Sequence, residues 1–162
     1  MSTDEDSISV SDDKLTITTS VIVDSGPEFI WDIWTKPELI SQWWVPKGFT
    51  NTIDEMDVYP GGVWRLVIHG PDGVDYPNYA KYEEVYKPRR LVFSHQNTNE
   101  SDLKTWHTIV TLVEESDGMT KVTLINRFDS EEEKSKHISE FRAIEGARQT
   151  FTRMVEFIND KE

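Results

Sequence analysis

Apolar and polar residues alternate along several segments of the chain, which is the pattern of half-buried β-strands. The first such segment covers residues 14–24 and is rich in β-branched residues. Further strands are predicted at 51–59, 62–69, 78–87, 90–96, 105–114 and 119–128. Turn signals separate them, among them Pro60-Gly61, which fits a type II turn, and the hairpin signal Asp117-Gly118. The pattern therefore predicts an antiparallel meander.

Other segments show helical spacing or helix start signals. Pro27 suits the first turn of a helix that runs to about Trp34, and Pro37 begins a second, short helix. Ser130 and Glu133 form a capping box ahead of the carboxy-terminal helical region. Apolar residues then recur three and four apart, a stripe typical of a helix packed on a sheet. These residues are Ile144, Ala147, Phe151, Met154, Val155 and Ile158.

The amino-terminal residues differ in composition from the rest of the chain. Residues 1–13 are rich in serine and aspartate and contain few aliphatic side chains. Such a segment cannot bury enough apolar surface to offset the entropy of ordering. We therefore expect residues 1–13 to be a disordered acidic lead-in and residues 14–162 to form a single domain.

Five short motifs occur in a characteristic order between these elements. They are Trp43-Trp-Val-Pro46, Tyr59-Pro-Gly-Gly62, Gly70-Pro-Asp-Gly73, Tyr82-Glu-Glu-Val85 and Pro88-Arg-Arg-Leu-Val-Phe93. Together they resemble the START-like (SRPBCC) superfamily, in the branch similar to the carboxy-terminal domain of the heat-shock protein 90 ATPase activator. The resemblance runs from about Lys14 to Ile158 and implies an α+β helix-grip fold. In that fold a curved antiparallel sheet of about six to seven strands wraps around a long carboxy-terminal helix and encloses a cavity, with two short helices after the first strand.

One departure from this family bears on the cavity. The last helix of the family often begins with a Gly-Trp pair, whereas here Gly146 is followed by Ala147. Loss of the tryptophan ring either widens the space beneath the helix or is compensated by Trp106 or Trp31.

Composition narrows the possible functions. The chain has 162 residues, no cysteine and a formal net charge of −13, so disulfides and thiolate sites are excluded. Excess negative charge disfavours binding to nucleic acid or to an anionic membrane surface. No apolar run is long enough to span a bilayer, and the acidic amino terminus is unlike a signal peptide. We expect a cytoplasmic protein that is a monomer or weak homodimer.

The candidate ligand-binding residues lie at alternate positions of the middle strands and on the last helix. They are Trp64, Leu66, Tyr82, Glu84 and Phe93 on the strands, with Phe151 and Met154 on the helix. Aromatic walls with few polar groups suit a small hydrophobic or aromatic ligand, lipid-like or polyketide-like. Alternation does not say which face of a strand lines a cavity, and the same residues would also suit a filled core.

Few residues have the character of catalytic or metal-binding groups. An inward Glu84 would serve as an acid or ligand anchor, whereas an outward one would be solvated or paired with Arg65. His95 and His107 would form a proton-transfer pair if they met across the sheet. Glu133, His137 and Glu140 share a helix face, which solvent exposure explains without a metal. We predict no catalytic residue, no metal and no cofactor.

Three functions therefore compete. The first is binding of a small hydrophobic ligand in an internal cavity. The second, which the resemblance supplies, is that of a co-chaperone that stimulates a heat-shock protein 90 ATPase. The third is a polyketide-type cyclase, hydrolase or dehydratase, and it requires Tyr82, Glu84 and His95 to converge in the cavity. The sequence lacks a Gly-x-Ser-x-Gly nucleophile motif and a glycine-rich phosphate loop.

Overall fold

A single antiparallel sheet forms the framework of this computed structural model, which describes residues 8–96, 106–116 and 118–161. The strands are β1 (Ser9–Asp13), β2 (Thr16–Val23), β3 (Thr50–Met56), β4 (Val63–His69), β5 (Asp75–Tyr86), β6 (Arg90–Gln96), β7 (Trp106–Ser116) and β8 (Met119–Phe128). The helices are α1 (Pro27–Thr35), α2 (Pro37–Ile40), α3 (Glu131–Phe141) and α4 (Ala143–Lys161). The eight described strands exceed the six or seven expected.

The strand order is β1-β2-β8-β7-β6-β5-β4-β3, so β3 to β8 form a meander that returns to β2. Helices α1 and α2 lie in the connection from β2 to β3, which are separated by the rest of the sheet. The long helix α4 packs against β1 and β2, and its apolar stripe is buried. This arrangement confirms the α+β helix-grip fold.

The first strand is a correction to the sequence prediction. Residues 9–13 form β1, paired with β2 from Ser9↔Ser20 to Asp13↔Thr16, and not a disordered lead-in. Two long-range contacts hold the strand: Lys134 Nζ lies 3.0 Å from Asp12 Oδ2, and Arg148 donates to the Ile8 carbonyl at 2.9 Å. Composition missed the strand because, besides the adjacent β2, it is held by side chains on α3 and α4 that are distant in sequence. Residues 1–7 lie outside the described residues.

Local signals placed several turns and caps correctly. Gly62 N–H donates to the Tyr59 carbonyl at 2.7 Å, and Gly61 has a φ of 91°, as a type II turn over Pro60-Gly61 requires. The Ser130 hydroxyl accepts from Glu133 N–H at 3.1 Å, which confirms the amino-terminal cap of α3. Of the predicted hairpin pair, Asp117 lies outside the described residues, and Gly118 has a φ of 78°.

Aromatic side chains fill the middle of the sheet beneath α4. The most buried are Trp34, Trp43, Trp64, Tyr82, Phe93 and Phe151, each at most 1% exposed. Trp64 contacts Phe93 with ring centroids 5.5 Å apart, and Tyr82 contacts Phe93 at 5.7 Å. These edge-on contacts are the favoured geometry for ring pairs and leave the centre densely packed.

Candidate functional site

Six of the seven candidate ligand-binding residues lie in one hydrophobic core beneath α4. They are Trp64, Leu66, Tyr82, Phe93, Phe151 and Met154. The strand residues among them face the helix, but their rings pack on one another. Only Phe151 of the seven lines the cavity found beneath α4 in the described part of the chain.

Glu84 is the exception: of the two orientations considered from the sequence it has the outward one, so it does not line the cavity. A β-bulge between Tyr82 and Glu84 places two residues between the inward Tyr82 and the inward-packed Val85. Glu84 therefore pairs across the sheet with Val92 and lies on the outer face. There its carboxylate accepts a hydrogen bond from Arg90 Nε at 3.0 Å, and both side chains are 41% exposed. Arg65, the partner considered from sequence, instead lies 3.8 Å from Glu55.

Three polar atoms on the aromatic residues of the packed centre have no hydrogen-bond partner among the described residues. They are the Tyr82 hydroxyl, Trp64 Nε1 and Trp34 Nε1. Burial raises the pKa of Tyr82 well above its ordinary value, so the phenol is neutral at physiological pH. Tyr82 therefore contributes a ring to the core and has no ionised form to offer.

The cavity lies at one end of the sheet, between the first half of α4 and strands β7 and β8. Its volume is about 230 Å³. The lining residues are Trp44, Pro46, Trp106, Leu124, Asn126, Phe128, His137, Ala143, Gly146, Ala147, Thr150 and Phe151. Aromatic and aliphatic groups dominate this lining, and its described residues include no aspartate, glutamate, lysine or arginine.

Small residues on α4 explain why space remains at this end. Ala143, Gly146 and Ala147 line the cavity where the helix begins, whereas Phe151, one turn further on, is buried in the core. Trp106 forms part of the lining and leaves the space open, so it does not compensate for the ring that the family often carries at position 147. A Cβ on Gly146 would lie 3.6 Å from Pro46 Cγ, an ordinary contact.

A chain of hydrogen bonds crosses three neighbouring strands behind the cavity. His95 Nε2 on β6 lies 2.7 Å from Thr108 Oγ1 on β7. Thr108 Oγ1 in turn donates to Asn126 Oδ1 on β8, also at 2.7 Å. Asn126 lines the cavity, so the network ends at the cavity wall.

His95 is neutral at physiological pH. Burial is the main cause that lowers its pKa to about 3, and the nearby His137 and His107 lower it further. Its ring stacks on Trp106, with centroids 4.4 Å apart, and meets the edge of Phe93 at 5.2 Å. His95 is therefore a fixed hydrogen-bonding group and not a cation at pH 7.

His95 and His107 do not form the proton-transfer pair considered from sequence. His95 pairs with Trp106 and Ser94 with His107, so the two histidines occupy alternate positions and opposite faces of the sheet. His107 Nε2 instead lies 3.5 Å from Glu83 Oε2.

His137 belongs to the cavity, although the sequence predicted a solvated helix face. Its Nδ1 lies 3.0 Å from the Glu133 carbonyl oxygen, which accepts the ring N–H. The ring meets Trp106 and Phe128, each at 4.7 Å between centroids. No metal-holding group of three histidine, aspartate or glutamate residues occurs among the described residues, and the Glu140 side chain lies outside them.

Sequence reasoning missed most of the cavity lining because it concentrated on the middle strands. Trp106 and Phe128 lie on β7 and β8, directly opposite each other in register. The signal that marks their importance is the Gly146-Ala147 pair, since small helix residues leave space against the strands that face them.

No helix in the described ranges has both the length and the apolar character needed to cross a bilayer.

Comparison with known proteins identifies the family. Residues 24–159 match the family model described as activator of Hsp90 ATPase homolog 1-like protein. No curated protein sequence matches the chain significantly.

Solved structures match over nearly the whole chain. A protein from Arthrobacter aurescens is 24% identical with a TM-score of 0.86, covering 95% of this chain and 92% of its own. A Mycobacterium smegmatis protein is 23% identical with a TM-score of 0.82, covering 96% and 99%. The AHSA1 protein of Silicibacter pomeroyi is 18% identical with a TM-score of 0.75, covering 91% and 99%. These likenesses establish the shared fold, and the family model establishes that the chain belongs to the activator of Hsp90 ATPase homolog 1-like family within the START-like superfamily.

Proposed function

We propose that this protein binds a small, mostly apolar ligand containing an aromatic ring in the cavity beneath α4. The observation that carries the proposal is the lining itself. Four aromatic residues, Trp44, Trp106, Phe128 and Phe151, surround a space with Asn126, His137 and Thr150 as polar groups. Apolar walls supply the binding free energy, while a few placed polar groups fix the orientation of a ligand.

The volume limits the size of the ligand. A cavity of roughly 150 Å³ accommodates benzene, and this one measures about 230 Å³. It is smaller than the pockets of about 300 Å³ or more that hold drug-sized molecules. A ligand with two fused rings, or one ring and a short chain, fits this range.

The charge of the site favours a neutral ligand. No lysine or arginine lines the cavity among the described residues, and the chain carries a net charge of −13. A carboxylate or phosphate in this apolar space would lose its hydration without gaining a cationic partner.

Filling the cavity is the direct test. Ala147→Trp places a ring where the family often has one, and Glu156→Trp adds the same ring at an exposed position of α4. Naphthalene, lipids, flavonoids and polyketide-like aromatics would be titrated into ¹⁵N-labelled protein, with amide shifts followed by NMR. We expect shifts at Trp106, Phe128 and Ala147 in the wild type and in Glu156→Trp, and none in Ala147→Trp. Absence of shifts with every compound, or equal binding by Ala147→Trp, would overturn the proposal.

The two alternative functions differ in what supports them. The co-chaperone function has the family description in its favour and stays a prediction, tested by the ATPase rate of heat-shock protein 90 with and without this chain. The enzyme function required Tyr82, Glu84 and His95 to converge. Tyr82 is a buried, neutral phenol, Glu84 lies on the outer face, and His95 is a neutral ring, so no described acid–base pair supports it.

A further inference from the structure

The hydrogen-bond network behind the cavity has a direction. The Thr108 hydroxyl carries one proton, and it donates that proton to Asn126 Oδ1. The 2.7 Å contact between Thr108 and His95 must then use a proton on His95 Nε2. His95 is neutral, so it has one N–H to give, and the network runs from His95 through Thr108 to Asn126.

This direction determines what Asn126 presents to the cavity. An asparagine side chain has one carbonyl oxygen and two N–H donors. One lone pair of the carbonyl oxygen accepts from Thr108, and Nδ2 has no partner among the described residues. Since Asn126 lines the cavity, its amide N–H groups are available as donors to a ligand there, beside the Thr150 hydroxyl.

We propose that Asn126 donates a hydrogen bond to a carbonyl oxygen of the ligand, so that the site selects a neutral aromatic ketone, aldehyde or quinone. This inference rests on the proposed function, because it names the class of molecule that the same cavity takes. A purely apolar ligand would leave the amide donors unpaired against its surface, and an unpaired buried donor is costly.

Two features make a carbonyl compound a better fit than its relatives. A carboxylate also accepts hydrogen bonds, but the described lining residues include no lysine or arginine to neutralise it. An alcohol can accept from Asn126 as well, but it brings an O–H that needs an acceptor of its own, and the described lining offers few, such as the second lone pair of Asn126 Oδ1 and the Thr150 hydroxyl. A carbonyl oxygen needs only donors.

Matched ligands test the inference separately from the proposed function. Indane, 1-indanone and 1-indanol share one skeleton and differ in the polar group, and fluorene, 9-fluorenone and 9-fluorenol repeat the comparison at larger size. We expect the ketone to bind about three- to tenfold more tightly than the hydrocarbon, which is the range of one net hydrogen bond. The Asn126 side-chain amide protons should shift downfield with the ketone and not with the hydrocarbon.

Three variants assign this preference to the network. Asn126→Ala removes the donor, Asn126→Asp replaces it with an acceptor, and Thr108→Val removes the hydroxyl that orients the amide. We expect Asn126→Ala to bind the hydrocarbon at least as tightly as wild type, because it removes the donor that a hydrocarbon leaves unpaired. The ¹⁵N NMR spectrum of each variant shows whether its cavity has folded. In Asn126→Ala and Thr108→Val the ketone preference should disappear, and in Asn126→Asp the alcohol should become the preferred ligand.

The outcomes separate the two claims. Equal binding of hydrocarbon and ketone by the wild type would overturn the carbonyl inference and leave the ligand-binding function standing. Tighter binding of the alcohol by the wild type would also overturn the inference, since it would mean that the site offers the ligand an acceptor as well as a donor. Failure of all six compounds to bind would remove both claims.

Discussion

The centre of the sheet and its end beneath the start of α4 both consist largely of aromatic side chains, but they differ in how densely these side chains pack. At the centre, Trp64, Tyr82 and Phe93 touch ring to ring and are each at most 1% exposed, and none of them lines the cavity. At the end, Trp106 and Phe128 face Ala147 and Gly146, and about 230 Å³ stays open. Aromatic residues alone therefore do not mark a cavity in this fold. The cavity lies where the helix opposite them carries small side chains.

The variant with the largest expected effect tests whether the centre is densely packed. Phe93→Ala removes a ring that is fully buried against Trp64, Tyr82 and His95. We expect the free energy of unfolding to fall by about 3–5 kcal/mol, because the rigid rings around it cannot close the space. Urea denaturation measures the change, with Tyr59→Ala at an exposed position as the control. A loss below about 1 kcal/mol would mean that the centre collapses easily and is not densely packed.

The next effect tests how the two regions are joined. Arg153 on α4 donates to four backbone carbonyls of the segment after α2: Gln42 at 3.2 Å, Val45 at 3.1 Å, Phe49 at 3.2 Å and Pro46 at 3.5 Å. This segment carries Trp43, which belongs to the centre, and Trp44, which lines the cavity.

Arg153→Met should lower the free energy of unfolding by about 2–3 kcal/mol, since hydrogen bonds from a charged donor are strong. Denaturation would be compared with Arg127→Met, an exposed arginine on β8. We also expect weaker naphthalene binding in Arg153→Met, because the segment that carries Trp44 loses the hydrogen bonds that hold it against α4. Unchanged stability in this variant would show that packing alone holds the segment.

The polar network at the open end predicts a dependence on pH. The folded-state pKa of His95 is lowered to about 3, whereas the same side chain titrates near 6.5 when the chain is unfolded. Above pH 6.5 the histidine is neutral in both states and contributes no difference. As the pH falls below 6.5, the unfolded state takes up a proton that the folded state does not bind until about pH 3, so stability falls.

Between pH 7 and pH 5 this group should lower the free energy of unfolding by about 2 kcal/mol. His95→Gln keeps a donor for Thr108 and cannot titrate, so its loss over the same interval should be smaller by that amount. His137 and His107 lie close enough to influence His95 and remain in both proteins. If stability depended on pH identically in wild type and His95→Gln, His95 would take up its proton at the same pH in the folded and unfolded states.

Much of the fold could be predicted because its signals are local. Alternation located the strands to within a few residues, and Pro60-Gly61 and Ser130 fixed a turn and a helix cap through neighbouring atoms. Strand β1 could not be found in this way. The strand is held in place partly by Lys134 and Arg148, which are more than a hundred residues distant in sequence.

The candidate site was harder to predict, since it depends on packing between distant elements. Alternation placed Tyr82 in the core correctly but gave the wrong face for Glu84. The bulge adds one residue to β5 after Tyr82, so the residues that follow it point to the opposite face from the one that strict alternation predicts. The roles of Asn126 and His137 depend on which strand and helix face each other at the open end, information that neither segment contains alone. Ala147 was the one residue whose difference from the family pattern pointed to the open end.

The smallest expected effect separates the outer face from the cavity. Glu84→Gln removes one charge of a pair with Arg90 in which both side chains are 41% exposed. Exposed pairs contribute about 0–1 kcal/mol, so the change in the free energy of unfolding should be smaller than for any variant above. Binding of 1-indanone should be unchanged, whereas Asn126→Ala should lose its ketone preference. If Glu84→Gln weakened the binding of 1-indanone as strongly as Asn126→Ala does, the bulge in β5 would be absent in solution and Glu84 would belong to the site.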